Sequence, residues 1–222
     1  MTQKATAPAT TLPRRSVRAL ALCAAATIAL LAADLGTKNW ASETLSTERA
    51  VPPPEHCEPG RLQRAPLPAI VLIEGYLEFR YAENCGAAFG IGNDWSPTLR
   101  RAVFIPAALL ATIALFWMFW RGTGGPLFAW SVPFVVSGAV GNLVDRVRYG
   151  YVVDFIRFHV HDSFEYPTFN VADIAIVVGV GLLVLDGFRK DGHPKAPAKG
   201  DEADKAKKAT KRKSSEGAAA EG

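Results

Sequence analysis

Charge is missing from long stretches of this 222-residue chain: residues 102–120, 126–144 and 174–185 contain no Lys, Arg, Asp or Glu, although the whole sequence has 25 basic and 21 acidic residues. That distribution excludes a uniform soluble globule, whose charges would be spread along the chain. Cysteine is scarce. Cys23, Cys57 and Cys85 allow at most one internal bridge with one thiol left over, which excludes a small disulfide-built scaffold. The formal net charge of +4 is small and concentrated in the tails, against nucleic-acid binding. No Gly-x-Ser-x-Gly elbow occurs, and Ser137 has no evident base, so serine catalysis has little support. No His-Glu-x-x-His helix occurs either; His159 and His161 share a strand face near Asp162, as an exposed pair or as part of a metal site.

What is present is apolar length. Crossing the hydrocarbon core takes about 20 apolar residues. Ala102–Trp120 and Pro126–Val144 are each 19 residues without charge, and Phe169–Phe188 is apolar apart from Asn170, Asp173 and Asp186. Ala19–Ala33 is shorter, with Arg14, Arg15 and Arg18 ahead of it and Ala32-Ala33 at its end, a pattern shared with cleavable signal peptides. It continues into Asp34-Leu35-Gly36-Thr37-Lys38-Asn39-Trp40, where a lysine stem can snorkel and a tryptophan can sit at headgroup level. The segment therefore reads as a retained helix. Four spans put both termini on one side. Nine Lys and Arg flank the spans on that side against seven on the other, which together with the basic first tail favours cytoplasmic termini.

The expected architecture is an α-helical membrane protein with four transmembrane helices and a small extracytoplasmic β-sheet. Residues 1–16 form a basic cytoplasmic tail, 17–188 the membrane domain, and 189–222 a charged tail without the apolar content to fold. Within the domain, 46–70 carries six prolines and reads as an irregular extracytoplasmic excursion. Tyr76–Ala82 and Val152–Val160 alternate as strands do. Cys57 and Cys85 are candidates for a bridge outside the cytoplasm, which geometry decides.

Ionisable residues inside a membrane domain are costly, so they are functional candidates by default. Asp173 lies three residues after Asn170, on the same helical face and one turn inside the fourth span. The plainer reading is an acid complementing the helix dipole. Asp154 falls on the apolar strand face with Val152, Ile156 and Phe158, where desolvation raises its pKa; the plainer reading is a strand-edge aspartate that reaches water. Both acids fall at one membrane face. Two carboxylates held close share a proton, one acting as base on water while the other polarises a carbonyl. Asn142, Asp145 and Arg146 close the third span at that same face, with Ser137 and Gly141 forming a small-xxx-small pair suited to close helix approach. Asn84-Cys85-Gly86 follows the first strand and offers small residues where another backbone can approach. A scaffold or transporter with Asp154 and Asp173 lining a polar pathway is the competing class.

These segments, taken together, resemble the lipoprotein signal peptidase family, the type II signal peptidases of bacteria, over residues 17–188. Asp34 to Trp40 resembles the family's Asp-x-x-x-Lys segment, Asn84-Cys85-Gly86-Ala87-Ala88-Phe89 its Asn-x-Gly-Ala-Ala-Phe motif, and Gly141-Asn142-Leu143-Val144-Asp145-Arg146 its Gly-Asn-x-x-Asp-Arg motif. Val153-Asp154-Phe155 and Phe169-Asn170-Val171-Ala172-Asp173 resemble its two catalytic-aspartate motifs. The resemblance implies an aspartic endopeptidase of the bacterial inner membrane, with Asp154 and Asp173 as its dyad. Its substrate would be a diacylglyceryl-modified prolipoprotein, cut on the amino side of the modified cysteine. Asn84, Gly86, Asn142, Arg146 and Asn170 would position substrate or dyad, with Asp34 and Lys38 supporting the site. Membrane lipid is the other implied partner; no nucleic acid, metal or cofactor is implied. The Pro-rich excursion and the charged tail are longer than is usual in the family.

Overall fold

The computed structural model describes residues 15–48, 56–86, 92 and 94–191. The chain divides into two units, 1–186 and 187–222, and of the second only 187–191 are described. The elements run α1 (Val17–Thr44), β1 (Ser46–Glu48), β2 (Arg64–Pro66), β3 (Ile70–Ile73), β4 (Leu77–Asn84), α2 (Pro97–Trp120), α3 (Pro126–Arg148), β5 (Val152–Val160), β6 (Phe164–Glu165) and α4 (Val171–Asp191).

The first two long helices start on a local signal. Ser16 Oγ accepts from Ala19 N at the head of α1, and Ser96 Oγ accepts from Leu99 N at the head of α2, where Pro97 follows the cap. The third helix begins at Gly125, which has no side chain to cap it. Asp186 of α4 supplies the acceptors instead, taking Phe128 N at 3.3 Å and Gly125 N at 3.4 Å. All four helices are long and apolar enough to cross a membrane.

The third helix is the hub. It is the most buried of the four, and α1 and α2 both pack along it. The fourth helix approaches it through glycine: a Cβ at Gly138 would collide with Ala172 O, and one at Gly179 would fall 2.9 Å from Val135 N. Gly141 lies against Asp34 so closely that a Cβ would strike its carboxylate. The expected small-xxx-small pair is therefore half right in mechanism: Gly141 permits close approach, while Ser137 is buried and satisfies its hydroxyl on Phe134 O.

Two antiparallel sheets accompany the bundle, a two-stranded β1-β2 and a four-stranded β3-β4-β5-β6. The central pair sets Ala82 opposite Asp154 and Asn84 opposite Val152. The sheet residues Tyr81, Val153 and Phe155, with Tyr151 just before β5, share one buried cluster with Ala41 and Leu45 at the end of α1. Cys57 and Cys85 belong to the same cluster and are joined as a disulfide, with Cα atoms 5.6 Å apart.

Several bounds differ from the sequence reading. The first helix runs on through Asp34–Trp40 to Thr44, because its polar residues there find partners on α3 and α4. The first predicted strand is β4, running from Leu77 to Asn84, and the second is β5 with the bounds expected. Strands β1, β2, β3 and β6 carry no alternation that announced them. Residues 1–14, 49–55 and 192–222, which hold nearly all of both tails and the three-proline run of the Pro-rich excursion, lie outside the described residues.

Candidate active site

Asp154 sits near the start of β5. Asp145, in the last turns of α3, fixes that strand end by accepting from Val153 N at 3.1 Å. Alternation put Asp154 on one apolar face, but Val152, Val153, Asp154 and Phe155 are all buried. Both faces are covered there: Val153 and Phe155 belong to the cluster of Tyr81 and Tyr151, while Asp154 on the opposite face meets Asn84 and Asn170. Asp154 is 2% exposed. Its Oδ1 accepts from Asn170 Nδ2 at 2.6 Å and its Oδ2 from Asn84 Nδ2 at 3.0 Å. Burial first, then the neighbouring Asp173 charge, push this carboxyl up to about 7, against the opposing pull of the two amides.

Asn170 and Asp173 form a reciprocal box at the start of α4. Asn170 Oδ1 accepts from Asp173 N at 3.0 Å, and Asp173 Oδ2 accepts from Asn170 N at 3.2 Å. Asn170 therefore caps the helix rather than sharing a face with Asp173, which corrects the reading from spacing. Its Nδ2 is left to reach Asp154, Val153 O and Asn142 Oδ1. One asparagine thus touches both acids, and among the described residues no hydrogen bond joins Asp154 to Asp173 directly. Asp173 is half-buried, the more open of the two.

Behind the acids lies a buried charge cluster. Lys38 Nζ donates to Asn142 Oδ1 at 2.8 Å and lies 3.0 Å from Asp34 Oδ2 and 3.2 Å from Asp145 Oδ2, with all three charged groups buried. Two carboxylates and one carboxamide thus surround the ammonium. Asn142 Nδ2 donates onward to Asp173 Oδ1 at 2.9 Å. Asp34 Oδ1 takes Ala172 N at 2.8 Å, tying α1 to the first turn of α4. Arg146 Nη1 donates to Asn142 O at 3.3 Å and Nη2 to Gly86 O at 2.7 Å, while Gly86 N donates to Asn84 Oδ1 at 3.1 Å. Asn84, Gly86, Asn142, Arg146, Asn170, Asp34 and Lys38 thus converge with Asp154 and Asp173. Ala87, Ala88, Phe89 and Gly90 lie outside the described residues.

Asp145 was missed as a site residue. The sequence placed it in a motif but could not show that it grips both Lys38 and the β5 backbone. His159 and His161 do not join the cluster: they stand toward the far end of β5, with His159 Nδ1 3.2 Å from His161 O and His161 edge-on to Tyr76. Among the described residues no three His, Cys, Asp or Glu side chains gather as a metal-binding group.

Fold and site define a class: a multi-pass helical membrane protein that gathers buried carboxylates and carboxamides where its helices meet a small sheet. The family model for signal peptidase (SPase) II matches residues 26–189, and the chain belongs to that family. Its members are proteases that remove signal peptides from prolipoproteins during lipoprotein maturation. A lipoprotein signal peptidase of Clostridium tetani is 39% identical over 126 residues, covering 56% of this chain and 77% of its own length. That of Syntrophomonas wolfei is 43% identical over 126 residues, covering 54% and 76%. A solved bacterial membrane enzyme superposes with a TM-score of 0.61 at 22% identity, covering 84% of this chain and 97% of that one; this last likeness speaks to fold.

Proposed function

We propose that this chain is an aspartic endopeptidase in which Asp154 and Asp173 act as a pair on a diacylglyceryl-modified prolipoprotein, cutting on the amino side of the modified cysteine. The observation that carries this reading is Asn170, which bonds the Asp154 carboxylate and boxes Asp173 in the same few ångströms. Asp154, buried and pushed up to about 7, holds the proton and donates toward the scissile carbonyl oxygen. Asp173, more open and held by Asn142, takes a proton from water. Water oxygen adds to the carbonyl carbon, a gem-diol forms, and a proton passes to the leaving amide nitrogen as the C–N bond breaks. The step needs no covalent enzyme intermediate.

Arg146 and Gly86 orient substrate backbone beside Asn84, and the Lys38, Asp34 and Asp145 cluster holds Asn142 and β5 in place. The substrate's acyl chains lie in the bilayer against the helices, each buried methylene contributing about 0.8 kcal/mol. The protein sits in the bacterial inner membrane with both termini cytoplasmic and the site at the outer face. The Cys57–Cys85 disulfide supports that orientation, since such bonds persist in oxidising compartments. Mass spectrometry of a lipid-modified precursor, incubated with and without the purified protein, tests the reading. A signal peptide released at the modified cysteine is expected, and an intact precursor would refute it.

A further inference from the structure

Arg100 and Arg101 stand in the first turn or so of α2, immediately before 19 uncharged residues, and so at the boundary where that helix enters the bilayer. With Arg146, Phe104, Gly150 and the Cys57–Cys85 pair they line a small recess with an open mouth. Among the described residues no acid lines it. Arg100 is 6% exposed, and although its Nη2 donates to Cys57 O at 2.6 Å, its Nη1 is buried with no acceptor. Arg146 Nε is likewise buried without a partner, its two terminal nitrogens being committed to Asn142 O and Gly86 O. Gly150 leaves the guanidinium of Arg101 room, since a Cβ there would fall 3.3 Å from Nη2.

Buried guanidinium N–H groups without acceptors call for an occupant rich in oxygen and negative charge. Guanidinium forks match a phosphate in geometry as well as charge. The surroundings say what carries that phosphate. Leu99 and Val103 on the same stretch of α2 are exposed, and Trp95 stacks on Phe104 at 5.7 Å, an apolar flank with the aromatic character of a headgroup boundary. We propose that this recess binds the phosphate of an anionic phospholipid headgroup, with Arg100, Arg101 and Arg146 around the oxyanion and the acyl chains along α2. A bound lipid would complete the wall of the bundle beside the carboxylate pair, with Arg146 standing between it and the site that holds the scissile peptide.

The test uses the full chain, purified in detergent, stripped of lipid and held in phosphate-free buffer. Thermal unfolding is followed after adding phosphatidylglycerol, diacylglycerol of the same chains, or inorganic phosphate. Phosphatidylglycerol is expected to raise Tm, diacylglycerol and inorganic phosphate to raise it far less. Arg101→Gln, whose side chain makes no fold-holding bond comparable to that of Arg100, is expected to lose at least half of the phosphatidylglycerol shift, while Arg18→Gln keeps it. An equal shift from diacylglycerol means only apolar contact, and an equal shift from inorganic phosphate means a free-anion site; either overturns the proposal, as does an undiminished shift in Arg101→Gln.

Discussion

Asn170 Nδ2 lies 2.6 Å from Asp154 Oδ1, the shortest of the bonds that hold the two acids in place, while the same residue's Oδ1 accepts from the backbone N–H of Asp173. Asn170 is wholly buried, so removing it strips a donor from Asp154 and a cap from α4 together. Asn170→Ala is expected to lower kcat by about 10²-fold or more, as misplacement of a reacting group by about an ångström does, and to destabilise by about 1–2 kcal/mol from the lost cap. Steady-state rates alongside thermal unfolding separate the two. A variant that loses stability but turns over normally would detach Asn170 from the chemistry.

Lys38 is enclosed by Asp34, Asp145 and Asn142. Lys38→Met leaves two buried carboxylates without their cation, which typically costs about 3–5 kcal/mol. Unfolding in detergent measures it. A change under about 1 kcal/mol would mean that solvent reaches this cluster and that the buried arrangement is wrong.

The Asp154 carboxyl, raised to about 7 by burial and by Asp173, sets a sign for pH. The folded state favours the protonated form. Its contribution to stability is therefore complete below the ordinary aspartate range and is lost as pH rises toward 7. Activity requires the same proton, so kcat/KM is expected to fall above about pH 7 with a single basic limb. A profile flat to pH 9 would contradict the protonation assigned to Asp154.

Arg146 bonds Gly86 O at 2.7 Å and Asn142 O at 3.3 Å. Arg146→Ala is expected to raise KM and lower kcat together, with about 1–3 kcal/mol lost from stability as Gly86 O and its neighbours lose a charged donor. Arg148→Ala, one turn-end away on an exposed side chain, is the control and is expected to change neither by more than about 0.5 kcal/mol. Equal effects of the two variants would deny Arg146 its place.

The helices were legible because absent charge is a strong and local signal: the three uncharged runs became the cores of α2, α3 and α4. The end of α1 was not, since Asp34 and Lys38 look like a membrane exit until Asn142, Asp145 and Ala172 N are brought to them by other helices. Strand β5 announced itself by alternation, whereas Ile70–Ile73 of β3 is four exposed apolar residues in a row and has no two-residue period to read. The carboxylate pair was suggested by intramembrane cost, and the motifs named its companions. The bonds that bring Asn170 to Asp154 and Asp34 to Ala172 N span 16 and 138 residues, which no spacing rule reaches. Whether Asn170 faced or capped the helix likewise turned on two backbone bonds that the sequence does not display.

The most direct measurement is the cleavage rate of a diacylglyceryl-modified precursor by purified Asp154→Asn and Asp173→Asn variants, each checked for membrane insertion and an ordinary unfolding transition. Both variants are expected to insert, and neither to release the signal peptide at a detectable rate. Near-normal turnover by either folded variant would contradict the role given to the two acids.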